Sequence, residues 1–83
     1  SSVVGRMSDE GHFLLASIAR HESLTYDELI VVTGVSAATI RKCLKEFSDR
    51  QLTWTDEVGR VRITSKSQYV VDYFLMGKNF LYE

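Results

Sequence analysis

A chain of 83 residues supports one domain, and one whose stability from burial alone is marginal. With 45% hydrophobic and 25% charged residues the composition excludes a disordered chain. The net charge of −1 excludes a uniformly basic polyanion binder, yet residues 1–33 carry two basic against five acidic side chains and residues 36–66 seven basic against four acidic, the asymmetry of a protein that meets a polyanion on one side.

Residues 1–7 are expected to be disordered or an expression remnant, and a single domain to run over residues 8–83. Ser8 is a suitable N-cap, and Asp9 and Glu10 suit the positive end of a helix. Phe13, Leu14, Leu15 and Ile18 then recur at helical spacing through His21 and supply a buried face. Gly11 weakens the first turn slightly. Leu24 points inward from a short extended segment. Thr25 opens a T-x-x-E capping box with Glu28, so a second helix is expected from about Tyr26 to Thr33. Taken alone, residues 29–33 (LIVVT) read as a strand, because β-branched residues are mediocre helix formers. The cap upstream and Gly34 downstream decide for helix. Gly34 suits the left-handed position after a helix, Val35 plugs the turn, and Ser36 caps a third helix that runs to about Arg50. Its inward face is Ile40, Cys43, Leu44 and Phe47.

Residues 52–55 and 60–64 alternate apolar and polar around Asp56-Glu57-Val58-Gly59, the pattern of a β-hairpin. Leu52, Trp54, Val61 and Ile63 are expected to face the core, and Arg60 and Arg62 to face out. Ser65 or Ser67 caps a last helix through Met76, with Gly77 ending or interrupting it. One face of that helix can bury Val70, Tyr73, Phe74 and Gly77. Tyr69, Val71, Leu75, Met76 and residues 80–82 are then left over, more apolar surface than a small monomer hides easily. A homodimer or partner-protein interface is therefore expected at Tyr69, Tyr73, Met76, Phe80, Leu81 and Tyr82.

The order helix, extended segment, helix, helix, hairpin, helix is an α+β arrangement. Over about residues 8–76 it resembles a winged helix-turn-helix domain. Residues 35–52, VSAATIRKCLKEFSDRQL, resemble the second-helix region of MarR-like and related small DNA-binding regulators. In such families a Val-Ser cap opens the helix, a Thr-Ile or Thr-Val pair follows, and a Leu after the helix starts the wing; here these are Val35-Ser36, Thr39-Ile40 and Leu52. The resemblance implies a three-helix core, a β-hairpin wing and a C-terminal helix. It also implies a transcriptional regulator that binds double-stranded DNA with the third helix in the major groove. Ser36 matches the family's cap, and Ala37, Ala38, Thr39, Arg41 and Lys42 match its DNA-facing positions. The two alanines depart from families of strong specificity, which usually carry a larger or polar residue at one of them.

The chemistry of these residues agrees with that role. Small Ala37 and Ala38 permit close approach to a groove, and the Ser36 and Thr39 hydroxyls can bind phosphate or base edges. Arg41 can read guanine with two hydrogen bonds, while Lys42 and Lys45 suit phosphates. Arg60, Arg62 and Lys66 can flank the helix from the hairpin, although the acidic tip, Asp56-Glu57, repels phosphate. The competing reading is a solvated helix face on a protein-binding winged helix within a larger assembly. A docking domain of a nucleic-acid enzyme is a further alternative. Enzyme chemistry is not expected. His12 and His21 stand nine residues apart and have no carboxylate constellation. Cys43 occupies a core position. The glycines form no phosphate loop. No metal or cofactor is expected: one cysteine allows neither an intramolecular disulfide nor a cysteine-based zinc site. No apolar run approaches the ~20 residues needed to cross a bilayer, so a cytoplasmic protein is expected, or a nuclear one in a eukaryote.

Overall fold

The computed structural model describes residues 7–75. The elements in chain order are α1 (Asp9–Arg20), β1 (Leu24–Thr25), α2 (Tyr26–Thr33), α3 (Ala37–Asp49), β2 (Thr53–Thr55), β3 (Arg60–Ile63) and α4 (Ser65–Leu75). Helices α1, α2 and α3 pack around a core that includes Leu14, Ile18, Leu29, Ile40 and Phe47, and the sheet closes it through Leu24 and Val61, with Leu52 from the turn before β2.

The helix starts follow from their caps. The Ser8 hydroxyl accepts from Gly11 N at 3.0 Å. Around Thr25 both halves of the capping box form: Thr25 Oγ1 accepts from Glu28 N at 3.1 Å, and Glu28 Oε1 accepts from Thr25 N at 3.0 Å. That box holds the β-branched run of α2 helical. Gly34 ends α2 at φ 72°, and its N–H donates to Ile30 O at 2.9 Å. Gly11 answers to packing: a Cβ there would lie 2.8 Å from Met7 Cγ.

Phe13 departs from the expected buried face and is 43% exposed. At 100° per residue it points nearly opposite the centre of the arc formed by Leu14, Leu15 and Ile18, which face the core.

Two helix ends use non-glycine residues in the left-handed region, Glu22 at φ 68° and Gln51 at φ 61°. At the second, Gln51 N–H donates to Ser48 O and Leu52 N–H to Phe47 O, at 3.0 and 2.8 Å. This Schellman closure turns the chain sharply into the hairpin.

The sheet is antiparallel in the order β1-β3-β2. Leu24 lies opposite Val61, Thr25 opposite Arg60, Thr53 opposite Ile63 and Trp54 opposite Arg62. This register corrects the expected placement of Trp54, which is outward and 50% exposed. Leu52 precedes β2 and is buried as part of the turn. The inward position of the strand falls on the buried Thr53, which turns the next side chain, Trp54, outward.

Helix α4 begins at Ser65. Ser67 is not its cap but a fully buried side chain within it, with Oγ 2.8 Å from Leu52 O and 2.9 Å from Thr64 O. Val71, expected in the apolar surplus, is 2% exposed and belongs to the core. Tyr69 is 53% exposed. Met76, Gly77, Phe80, Leu81 and Tyr82, and the side chains of Val70, Tyr73, Phe74 and Leu75, lie outside the described residues.

The left-handed positions give a paired stability test. A Cβ at Gly34 meets nothing within 4 Å, so Gly34→Ala isolates the backbone cost, about 1 kcal/mol. Gln51→Gly removes the same kind of cost and is expected to be stabilising by less than ~1 kcal/mol, after the gain in unfolded-chain entropy. Thermal unfolding should show Tm falling by roughly 4–8 °C in the first variant and rising in the second.

Candidate nucleic-acid interface

Helix α3 turns Ile40, Cys43 and Phe47 inward, so its period of 3.6 puts Ala38, Arg41, Lys42 and Lys45 on the outward face. All four are exposed, while Ala37 and Thr39 at the margins are half-buried. Ser36 is committed to the cap. Its Oγ accepts from Thr39 N at 3.3 Å and donates to Thr39 Oγ1 at 3.0 Å.

Arg41 is held in place from the neighbouring helix. Its guanidinium lies over the Tyr26 ring, 5.5 Å from the centroid, within cation–π range. The Tyr26 hydroxyl donates to Ala37 O at 3.4 Å, tying the ring to the start of α3. Tyr26 went unnoticed in the sequence as a site residue. The available signal was an aromatic at the first position of α2, one helix away from the cation it supports. Lys42 lies on the opposite flank of α3, on a groove of about 300 Å³ between the start of α1 and α3 whose lining includes Glu10, Cys43 and Glu46.

The other expected contact residues have partners inside the domain. Lys45 pairs with Asp49 at 3.1 Å, both highly exposed. Arg60 donates from Nε to Ser23 Oγ at 2.8 Å and from Nη2 to Ser23 O at 3.3 Å and Glu28 Oε1 at 3.0 Å. Arg62 Nε donates to Asp56 Oδ2 at 3.1 Å. Lys66 Nζ donates to Arg50 O at 3.0 Å, a cation on the carbonyl end of α3.

The hairpin tip is less acidic toward solvent than its sequence. Asp56 Oδ1 accepts from Val58 N and Arg60 N at 3.0 and 2.9 Å, and the side chain is only 11% exposed. The Arg60 amide first, then Arg62 and the Val58 amide, lower its pKa from the ordinary 3.8 against the opposing effect of desolvation. Glu28 is lowered from 4.5 by the Thr25 amide and by Arg60, again against desolvation. Burial pushes the Cys43 thiol up, and Glu46 and Glu10 push it further, against a smaller opposing effect of Lys42. It stays protonated at neutral pH and packs as an apolar group. Each histidine ring lies against its own helix, His12 Nδ1 3.1 Å from Ser8 O and His21 Nδ1 2.9 Å from Ser17 O. Among the described residues no group of three or more His, Cys, Asp or Glu is placed to hold a metal ion, and no helix is long and apolar enough to cross a membrane.

No family model matches the sequence, and no curated protein matches it. Among solved structures it is similar to the reduced form of MarR from E. coli, with a TM-score of 0.79 at 19% identity over 87% of this chain. The fold is a MarR-like winged helix. In it α2 and α3 are the helix-turn-helix, and β2 and β3 with their turn are the wing. The chain spans 55% of the length of that MarR chain.

The two depressed carboxylates set an acid limb of stability for this winged helix. A folded pKa below the unfolded one contributes stability above the unfolded pKa, and that contribution is lost as pH falls through the folded value. Stability should therefore decline as pH drops below about 4.5 for Glu28 and 3.8 for Asp56. Glu28→Gln and Asp56→Asn should each lower the midpoint at pH 7 and flatten its fall between pH 5 and 3; unfolding followed by circular dichroism across that range is the check.

Proposed function

We propose that this winged helix binds double-stranded DNA, as a transcriptional regulator or a part of one, with α3 in the major groove. The observation that carries the reading is the outward face of α3. A guanidinium braced on Tyr26 and the exposed ammonium of Lys42 flank the small side chain of Ala38. A groove about 12 Å wide admits one helix with such a face. Arg41 supplies a planar fork for guanine or phosphate, and Lys42 a phosphate contact. Ser36, Ala37, Thr39 and Lys45 complete the contact set from α3, with Arg60, Arg62 and Lys66 flanking from the wing and its base. Ala37 and Ala38 offer no side-chain donor to base edges, so this reading gives binding that depends more on phosphates than on sequence.

A second reading, a protein-binding winged helix, is favoured by the exposed Val31 and Val32 on α2, 83% and 45% exposed. A homodimer formed through the end of the chain is part of the first reading, supported by the apolar residues 80–82 and by the exposure of Tyr69. A two-fold dimer presents two recognition helices to a palindromic site.

Gel shifts on duplex DNA at low salt test the main reading. Affinity should fall steeply as salt rises, because counterions are released. The double variant Arg41→Ala, Lys42→Ala should weaken binding at least ~10-fold and flatten the salt slope by about two counterions. Tyr26→Leu keeps both charges and loses the brace, and should cost a factor of about 3. A wild-type protein that shifts no duplex at low salt sinks the DNA reading. Sedimentation tests the dimer: Phe80→Ser with Leu81→Ser should shift the mass from dimer to monomer, and a wild-type monomer at high concentration removes that part of the proposal.

A further inference from the structure

The wing inverts the usual logic of an amphipathic strand. In β2 the inward position goes to Thr53, 6% exposed, while Trp54 stands outward and 50% exposed. A domain this small gains most from burying its largest side chains. Yet the chain's sole tryptophan is left on the surface.

Its neighbours on that face are two arginines, each paired with a carboxylate, Arg62 with Asp56 and Arg60 with Glu28. Arg62 is its cross-strand partner, and Arg60 lies two residues along on β3, on the same side of the sheet. Asp56 accepts from Arg62 Nε and also from the amides of Val58 and Arg60, so the guanidinium is tied to a carboxylate that the backbone anchors. Arg62 makes no other hydrogen bond among the described residues, and its side chain is 40% exposed. An indole beside a clamped guanidinium on a rigid sheet is a preorganised surface.

We propose that this outer face of the wing is a stacking site for an unpaired nucleobase, with Trp54 as the platform and Arg62 as the contact to the adjoining phosphate. The ligand class is a single-stranded stretch of nucleic acid. The inference rests on the reading of the domain as nucleic-acid-binding and extends it from a duplex to a single strand, adding Trp54 to a wing whose Arg62 the duplex reading also uses. Duplex bases already stack on one another and present only their edges, whereas a single strand presents base faces to an aromatic ring. An apolar protein partner fits less well. The neighbours of Trp54 across the sheet are the ion-paired Arg62 and Arg60, so on that side the indole adjoins polar groups and not another apolar side chain.

Because Trp54 is the only tryptophan, its emission reports on this site alone. The full chain is titrated at low salt with an oligothymidine of about 12 nucleotides, within the site sizes of single-strand binders, and in parallel with a duplex. Oligothymidine should quench Trp54 emission by roughly half. Trp54→Ala should bind it about 10-fold more weakly, Trp54→Phe within about 3-fold of wild type, and Arg62→Gln in between. Duplex affinity should change less than ~2-fold in Trp54→Ala. Circular dichroism confirms that these surface variants fold. Oligothymidine binding with unchanged emission, or with unchanged affinity in Trp54→Ala, overturns the proposal. A duplex bound through Arg41 and Lys42 with no single-strand binding overturns it too and leaves the duplex reading standing. Binding of neither overturns both.

Discussion

Arg60 donates from Nε to the Ser23 hydroxyl and from Nη2 to Glu28 Oε1, and so joins the wing to the first turn of α2. The same carboxylate oxygen closes the capping box by accepting from Thr25 N. One acceptor therefore serves two elements far apart in sequence, and the pairing of Thr25 with Arg60 across β1 and β3 holds them in register. The ion pair is partly exposed, at 34% and 47%, so solvent screening keeps its energy small. Its importance is geometric: it sets where the wing stands relative to the helix-turn-helix. The surfaces carried by α3 and by the wing inherit their relative position from this junction.

The same economy runs through the basic half of the chain. Read as a count, its cations promise a broad positive face. In the fold, Lys45, Arg60 and Arg62 each meet a carboxylate, and Lys66 meets the carbonyl end of α3. Arg41 is engaged too, but by an aromatic face that leaves its charge in place. The protein presents local cationic points braced by neighbours, on a chain whose ten basic and eleven acidic side chains leave it near neutral.

Much of this was legible in the sequence. Ser8, Thr25-x-x-Glu28 and Ser36 mark helix starts by side-chain chemistry that acts within three residues, and the caps form where they stand. Gly34 announces a left-handed turn for a similarly local reason. What the sequence concealed depends on contacts between distant residues. The phase of β2 is hidden because Leu52 is apolar and adjacent, although the turn through Gln51 places it before the strand. Ser67 looks like a cap, but its hydroxyl answers a carbonyl of Leu52 fifteen residues away. Val71 looked surplus until α4 packed on α1. Alternation marks Arg60 and Arg62 as outward cations. That holds for the sheet face they stand on, and pattern alone could not show that Glu28 and Asp56 come to meet them.

The β-branched run in α2 has a consequence for the protein before and after it is folded. Residues 29–33, LIVVT, are uncharged, contain no proline and favour extended backbone. In the native helix Leu29 is sealed in the core, and Val31 and Val32 are exposed to solvent. Holding this segment helical takes its amides out of reach of another chain, since each is already spent within α2. The capping box is thus also a guard against self-association: a chain that has lost it offers neighbouring copies a short sticky strand, the seed of a cross-β aggregate.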